Sequence, residues 1–457
     1  MTLTARHRTR SLAAVGLVLP LALLAACSTG GTDARPGSGD AAAAEEPAAA
    51  PREEATAVPR LAVTYDGGVQ VLDATTLEVV GDLALDGFAR LNPAGDGRHL
   101  LVSTTGGFRV LDAGTWAEPH GDHAHHYTAD PTLTDVTYAA EKPGHVVVHD
   151  GRTALFDDGT GDVTVLDSAA VADPHGLDDA RTLTTPSPHH GVAVELGDGS
   201  LVVSEGTEDA RTGVRLLDAA GEEVVSSDEC PGVHGEAVAA DEAVVVGCED
   251  GVLVVADGAI TKVASPDAYG RIGNQAGSEA SPVVLGDYKS DPDADLERPT
   301  RVSLVDTRDA SLRLVDLPAS YTFRSLGRGD AGEALVLGTD GSLHVVDPGS
   351  GTLVRSIPVL DAWEEPAEWQ APRPALLVQD GLAYVTDPAG RAVHAVDYVA
   401  GEVWRSAVLD VVPNELQGVT GRAADPGAHD GHDHGEHAPD EHDGDAHAAH
   451  DHDPAEG

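Results

Sequence analysis

The sequence predicts an all-β fold: a β-propeller of eight blades, with seven as the fallback count, between two ends that do not fold. Three observations predict it. Runs of four to six residues rich in Val and Leu recur, each bounded by Gly, Asp or Asn, which is the strand-and-turn signature. No segment of the body sustains an apolar period near 3.6, so no amphipathic helix is expected. The theme returns every 40–50 residues or so with three or four strands each time, the period of propeller blades. Two sandwich domains would supply the strands but not the even repeat.

The elements follow in chain order. Arg6, Arg8 and Arg10 precede an apolar run from Leu12 to Ala26. At about 15 residues it is short for a membrane span and right for a signal sequence. It ends in Leu24-Ala25-Ala26-Cys27, which resembles the bacterial lipobox. Residues 1–26 are therefore read as a lipoprotein signal. Cys27 is the lipidation site, and the protein is expected on the extracytoplasmic side of the cell membrane. Residues 27–58 are Gly/Ser/Thr and then Ala/Glu/Pro, with almost no large apolar side chain, and read as a disordered tether.

Residues 59–422 form the propeller. Its units include LAVTYDGGVQVLD from Leu61, RHLLVSTTGGFRVLD from Arg98, GHVVVHDGRTALFDDG from Gly144, GVAVELGDGSLVVSEG from Gly191 and GEAVAADEAVVVGCEDG from Gly235. Further units start at Arg301, Glu333 and Ala375. The first unit lacks an inner strand on its N-terminal side. Asn414–Thr420 is expected to supply it and close the ring, which removes the open sheet edge. Asp291–Glu297 has the alternating acids of a calcium loop but Leu296 where the glycine should be, and reads as a solvated loop.

Composition narrows the function. The chain of 457 residues has 28 Lys+Arg against 77 Asp+Glu, a formal charge of −49, so a basic face for nucleic acid is excluded. After Cys27, only Cys230 and Cys248 remain. A disulfide is the default reading in an exported chain, with a metal thiolate site as the alternative. No phosphate-binding, nucleophile-elbow or His-Glu-x-x-His motif occurs.

The 22 histidines carry the chemistry. His145, His190 and His234 lie 45 and 44 residues apart, each shortly after a proline and at the start of an inner strand. Equivalent positions on consecutive blades bring three imidazoles to one mouth of the central channel, a zinc-type ligand set. A loop from about Trp116 to Glu141 contains His120, His123, His125 and His126. Read as the link from an outermost strand to the next inner strand, it belongs on the same face and acts as a mobile donor. In an extended segment His123 and His125 point the same way. The tail, residues 423–457, holds His429, His432, His434, His437, His442, His447, His450 and His452 among acids, with no Lys or Arg after Arg422. It reads as a disordered, low-affinity metal collector.

With these residues in view, the chain resembles the AztD-type zinc metallochaperones, exported β-propeller proteins that hand Zn²⁺ to the solute-binding protein of a zinc ABC importer. The resemblance rests on the His120–His126 segment, the Pro-x-His strand starts and the Cys230/Cys248 pair. It implies a Zn²⁺ carrier, not an enzyme, with such a solute-binding protein as partner. This chain departs from the pattern in its lipobox and its long histidine tail. A monomer is expected, attached to the membrane through the lipid only. Ni²⁺ and Cu²⁺ suit imidazole too, but imidazole with carboxylate and no methionine beyond Met1 favours zinc. Two other readings use the same features: a metal-dependent propeller hydrolase or lactonase, and a protein-binding propeller whose tail buffers zinc.

Overall fold

The computed structural model describes residues 50–423. Cys27 and the eight tail histidines, His429 to His452, lie outside the described residues. Within them the strands form eight sheets around a core of four antiparallel strands each, one of which gains a short parallel fifth strand at Gly270–Arg271, and one three-stranded sheet. Six of the eight are built from four successive strands counted outward from an inner one, and blade 2 from three successive strands with Thr132–Ala139 as the fourth. The inner strands of blades 2 to 8 are Arg90–Pro93, Pro143–His149, Ala193–Glu195, Glu236–Val238, Gln275–Ala276, Leu326–Arg328 and Leu376–Gln379. Blade 1 takes its inner strand from the far end of the propeller. Leu416–Val419 pairs antiparallel with Arg60–Val63, as the sequence led us to expect for that segment.

The apolar runs explain the ring. A propeller blade is buried on both faces, so its strands are nearly continuous in Val, Leu and Ala rather than alternating. In Val244-Val245-Val246, the outer two side chains pack with blade 4 and the middle one with blade 6. Eight such buried clusters each join two neighbouring sheets. The last joins blade 8 (Tyr384, Val393, Ala395) back to blade 1 (Leu61, Val63, Leu72).

Two expectations need correction. The tether was expected to run unpaired to residue 58. Instead Arg52–Glu54 forms a strand against Glu54↔His126 to Arg52↔Thr128. Its side chains bury little, and edge pairing of the backbone holds it instead. The His120–His126 segment is also not a loop. Thr115–His120 and His123–Thr128 are the two strands of a hairpin, completed by Arg52–Glu54. The Gly121-Asp122 turn joins them, with Gly121 at φ 64°, as a two-residue hairpin turn requires. The solvated Asp291–Glu297 loop is as read, with the Glu297 carboxylate accepting from the Ser290 and Asp291 N–H groups.

The hairpin's position differs as well. It joins the third strand of blade 2, Gly107–Asp112, to the fourth, Thr132–Ala139. Third strands run parallel to inner strands, so this connection lies where inner strands end. His145, His190 and His234 stand where inner strands begin. The two histidine sets occupy opposite faces, about 25 Å apart along the eight residues of Thr132–Ala139.

Candidate metal centre

The register places His145, His190 and His234 together at the channel mouth. His145 lies in the inner strand of blade 3, at a bulge between Pro143 and Val146, and bulges re-aim side chains. His190 and His234 precede the inner strands of blades 4 and 5. Close packing explains the residue that follows each of them. A side chain at Gly191 would lie 2.1 Å from the Phe156 ring. Gly235, at φ +73°, turns the chain against the Gly273 carbonyl.

The ring centroids of His145 and His190 are 4.9 Å apart, those of His190 and His234 5.2 Å, and those of His145 and His234 6.1 Å. The Nε2 atoms of His145 and His190 are 3.3 Å apart. Two nitrogens on one tetrahedral zinc, each at about 2.05 Å, are separated by about 3.3 Å.

The opposite ring nitrogens are all engaged. His190 Nδ1 donates to Asp158 Oδ2 at 2.6 Å, His145 Nδ1 to Glu236 Oε1 at 3.4 Å, and His234 Nδ1 to the Gly273 carbonyl. Partners of this kind fix the tautomer with the proton on Nδ1 and the lone pair on Nε2, as second-shell groups do for metal-bound histidine. The His145 and His190 side chains remain 23% and 39% exposed, so the cluster is open on one side. Asp158, Glu236 and the Gly273 carbonyl were not singled out from the sequence. The spacing His234-Gly235-Glu236 was a signal for one of them.

Burial lowers the His145 pKa, but the adjacent Glu236 carboxylate outweighs it, and the net shift is upward. His234 is pushed down to about 2 by burial and by the neighbouring His145 and Arg271 charges. His234 is therefore a ready neutral ligand, whereas protons compete with a metal for His145. A raised pKa favours the protonated form, so acid competes with metal earlier than for a free imidazole. Zinc affinity is expected to weaken about tenfold per pH unit below the His145 pKa, above the ordinary value of about 6.5. Competition titrations from pH 8 to pH 6 measure this; a flat affinity would refute it.

The hairpin carries a second cluster. His120, His123 and His125 each offer a ligand atom within 4.8 Å of the others. Register explains the set: His120 lies opposite His123, and His125 is two residues further on the same face. Glu53 belongs to that face too, and its carboxylate accepts from His125 Nδ1 at 2.8 Å. His126 does not belong to it. Alternation turns its ring to the other face, where Nδ1 is buried without a hydrogen-bond partner. Cys230 and Cys248 form a disulfide and are not metal ligands. A cleft of about 560 Å³ lined by Trp363 and Arg373 holds no histidine.

No family model matches the chain. In sequence it is 28% identical over 381 residues to the zinc chaperone AztD of Citrobacter koseri, spanning 81% of this chain and 87% of that protein. In fold it matches the crystal structure of Citrobacter koseri AztD with a TM-score of 0.69 at 26% identity, covering 80% of this chain and 98% of that one. The apo AztD structure from the same organism gives 0.68 at 25% identity over 79% and 98%. The dihydro-heme d1 dehydrogenase NirN, at 12% identity and a TM-score of 0.51, shares the fold alone. The likeness expected from the histidines is thus present in both sequence and fold: across its propeller, this chain is similar to the AztD zinc chaperones.

Proposed function

We propose that the protein is an extracytoplasmic zinc metallochaperone. It holds Zn²⁺ at the channel mouth through His145, His190 and His234 and hands it by ligand exchange to the solute-binding protein of a zinc ABC importer. Acylation of Cys27 would keep it at the membrane. The observation that carries the reading is the convergence of the imidazoles, with Nε2 of His145 and His190 at tetrahedral-zinc spacing. Three neutral donors leave a fourth position for water or for a ligand of the recipient. The exposed edges of His145 and His190 give that recipient access.

A hydrolytic role fits less well. A catalytic zinc needs a base free to take a proton from bound water. The two carboxylates beside the cluster, Asp158 and Glu236, are each occupied by an imidazole Nδ1–H. The similarity to a protein named as a zinc chaperone supports the carrier reading as well.

Transfer kinetics test it. Zinc-loaded protein ending at Ala423 is mixed with the metal-free solute-binding protein. Transfer is expected to speed up with recipient concentration and to exceed spontaneous zinc loss to a small chelator. A rate equal to that loss, whatever the recipient concentration, would rule out direct handover.

A further inference from the structure

Two arginines beside the channel mouth are unpaired. The chain has 28 Lys+Arg against 77 Asp+Glu, so an arginine without a carboxylate is unexpected. Arg152 and Arg181, for example, share Glu195. Among the described residues, Arg211 and Arg271 make no salt bridge and no side-chain hydrogen bond. Both are half-buried. Arg211 opens the third strand of blade 4, Arg211–Leu217, and third strands begin on the face where inner strands begin. Its carbonyl accepts from the Gly232 N–H at 2.9 Å, two residues before His234. Arg271 lies in the short fifth strand of blade 5. Its guanidinium covers Gly273, where a Cβ would lie 2.7 Å from Nη1. The Gly273 carbonyl is the acceptor for His234 Nδ1.

The two cations act on each other and on the ligands. Burial, and then the Arg271 charge, lower the Arg211 pKa. After burial and His145, Arg271 also lowers that of His234. The carboxylates in reach of Arg211 are Glu249, which is exposed, and Asp158, which His190 already holds. Like charges kept together without a counter-ion cost free energy, which a bound anion offsets. Metal sharpens the imbalance. Zn²⁺ on three neutral imidazoles keeps both its charges, and the Asp158 and Glu236 carboxylates balance them. Arg211 and Arg271 then leave the loaded centre cationic, even with Glu249 counted. An anion is therefore a better fourth ligand here than water. A carboxylate suits both neighbours, since one oxygen can bind zinc while the other accepts from a guanidinium.

We propose that Arg211 and Arg271 form an anion seat beside the metal, where the zinc-loaded centre takes a carboxylate of the recipient protein as its fourth ligand. The carboxylate enters through the opening beside His145 and His190. The seat distinguishes loaded carrier from empty, because the metal supplies the excess of positive charge. This deepens the carrier reading and rests on it for the identity of the recipient, but the seat itself is testable alone.

Leu416–Val419 closes the ring, so protein ending at Ala423 keeps every strand. That protein, with His120→Ala, His123→Ala and His125→Ala to silence the hairpin, is loaded with one equivalent of Co²⁺, and acetate is the probe. The visible spectrum is expected to shift and saturate as acetate is added. The pair Arg211→Gln/Arg271→Gln should raise the acetate concentration required by about tenfold or more, the worth of a hydrogen bond to a charged group. Its metal affinity should hold or rise, because two positive charges leave the neighbourhood of a dication. In the second arm, zinc-loaded protein meets the metal-free solute-binding protein at low salt. The arginine pair should transfer zinc about tenfold more slowly, and acetate should slow the parent by competition. The proposal fails if acetate saturates parent and variant alike, or if the variant binds metal more weakly, which would make the arginines supports for the ligands. It fails also if acetate needs the arginines while handover ignores both, since the seat would then serve free anions and not the recipient. If the parent shows no direct handover at all, the carrier reading falls, and the acetate result still decides the seat.

Discussion

Alanine at His145, His190 and His234 together, in protein ending at Ala423, is expected to remove sub-micromolar zinc binding. The hairpin histidines are still present in that protein, so the result compares the two clusters. The channel mouth should win because it is prearranged. Each of its imidazoles is held through Nδ1, and the rings are partly buried. On the hairpin, His120 and His123 are exposed, and only His125 is held from another strand. Donors already fixed in place lose less freedom when the ion arrives. The single change His190→Ala should weaken zinc by about 100-fold or more, since losing even a supporting hydrogen bond costs about 10–100-fold. Asp158→Asn and Glu236→Gln retain an acceptor for Nδ1–H but lose the charge, and belong at the lower end of that range. Competition against a chromophoric chelator measures all four. Unchanged affinity in the triple variant would move the tight site elsewhere.

What was legible in the sequence was what repeats. The period near 44 residues fixes which positions are equivalent around the ring, so three histidines in register were enough to predict their meeting. The supporting groups were not legible, because they come from other strands. Asp158 sits after the second strand of blade 3, and Glu236 reaches His145 from two blades away. The hairpin was misplaced because Thr132–Ala139, with Thr and Asp among its apolar residues, did not read as an outermost strand. Taking it as loop moved the histidines to the wrong face. The Gly121-Asp122 pair between extended runs was a hairpin signal that could have prevented this. The same alternation separates His126 from its neighbours. Arg52–Glu54 has no apolar pattern at all, and only its backbone pairing betrays it.

The Cys230–Cys248 disulfide gives the other large expected effect. Cys230 lies in the connection that carries His234, and Cys248 ends the second strand of blade 5. Both are fully buried in the cluster between blades 4 and 5. The His234 N–H donates to the Gly247 carbonyl, and the Gly247 N–H to the Gly235 carbonyl. The bridge thus pins the segment on both sides of the ligand. Removing a crosslink that closes a loop of this size costs about 3 kcal/mol. For a domain of this length that is a fall of roughly 4 °C in Tm. The paired variant Cys230→Ala/Cys248→Ala is the right probe, because free thiols would themselves bind zinc. Its zinc affinity should also fall by about tenfold, the lower range for losing support behind a ligand. His145→Ala supplies the contrast, since it weakens zinc without touching the crosslink. If the alanine pair melts lower but binds zinc as the parent does, the bridge holds the blade and not the ligand. If Tm is also unchanged, packing alone positions His234.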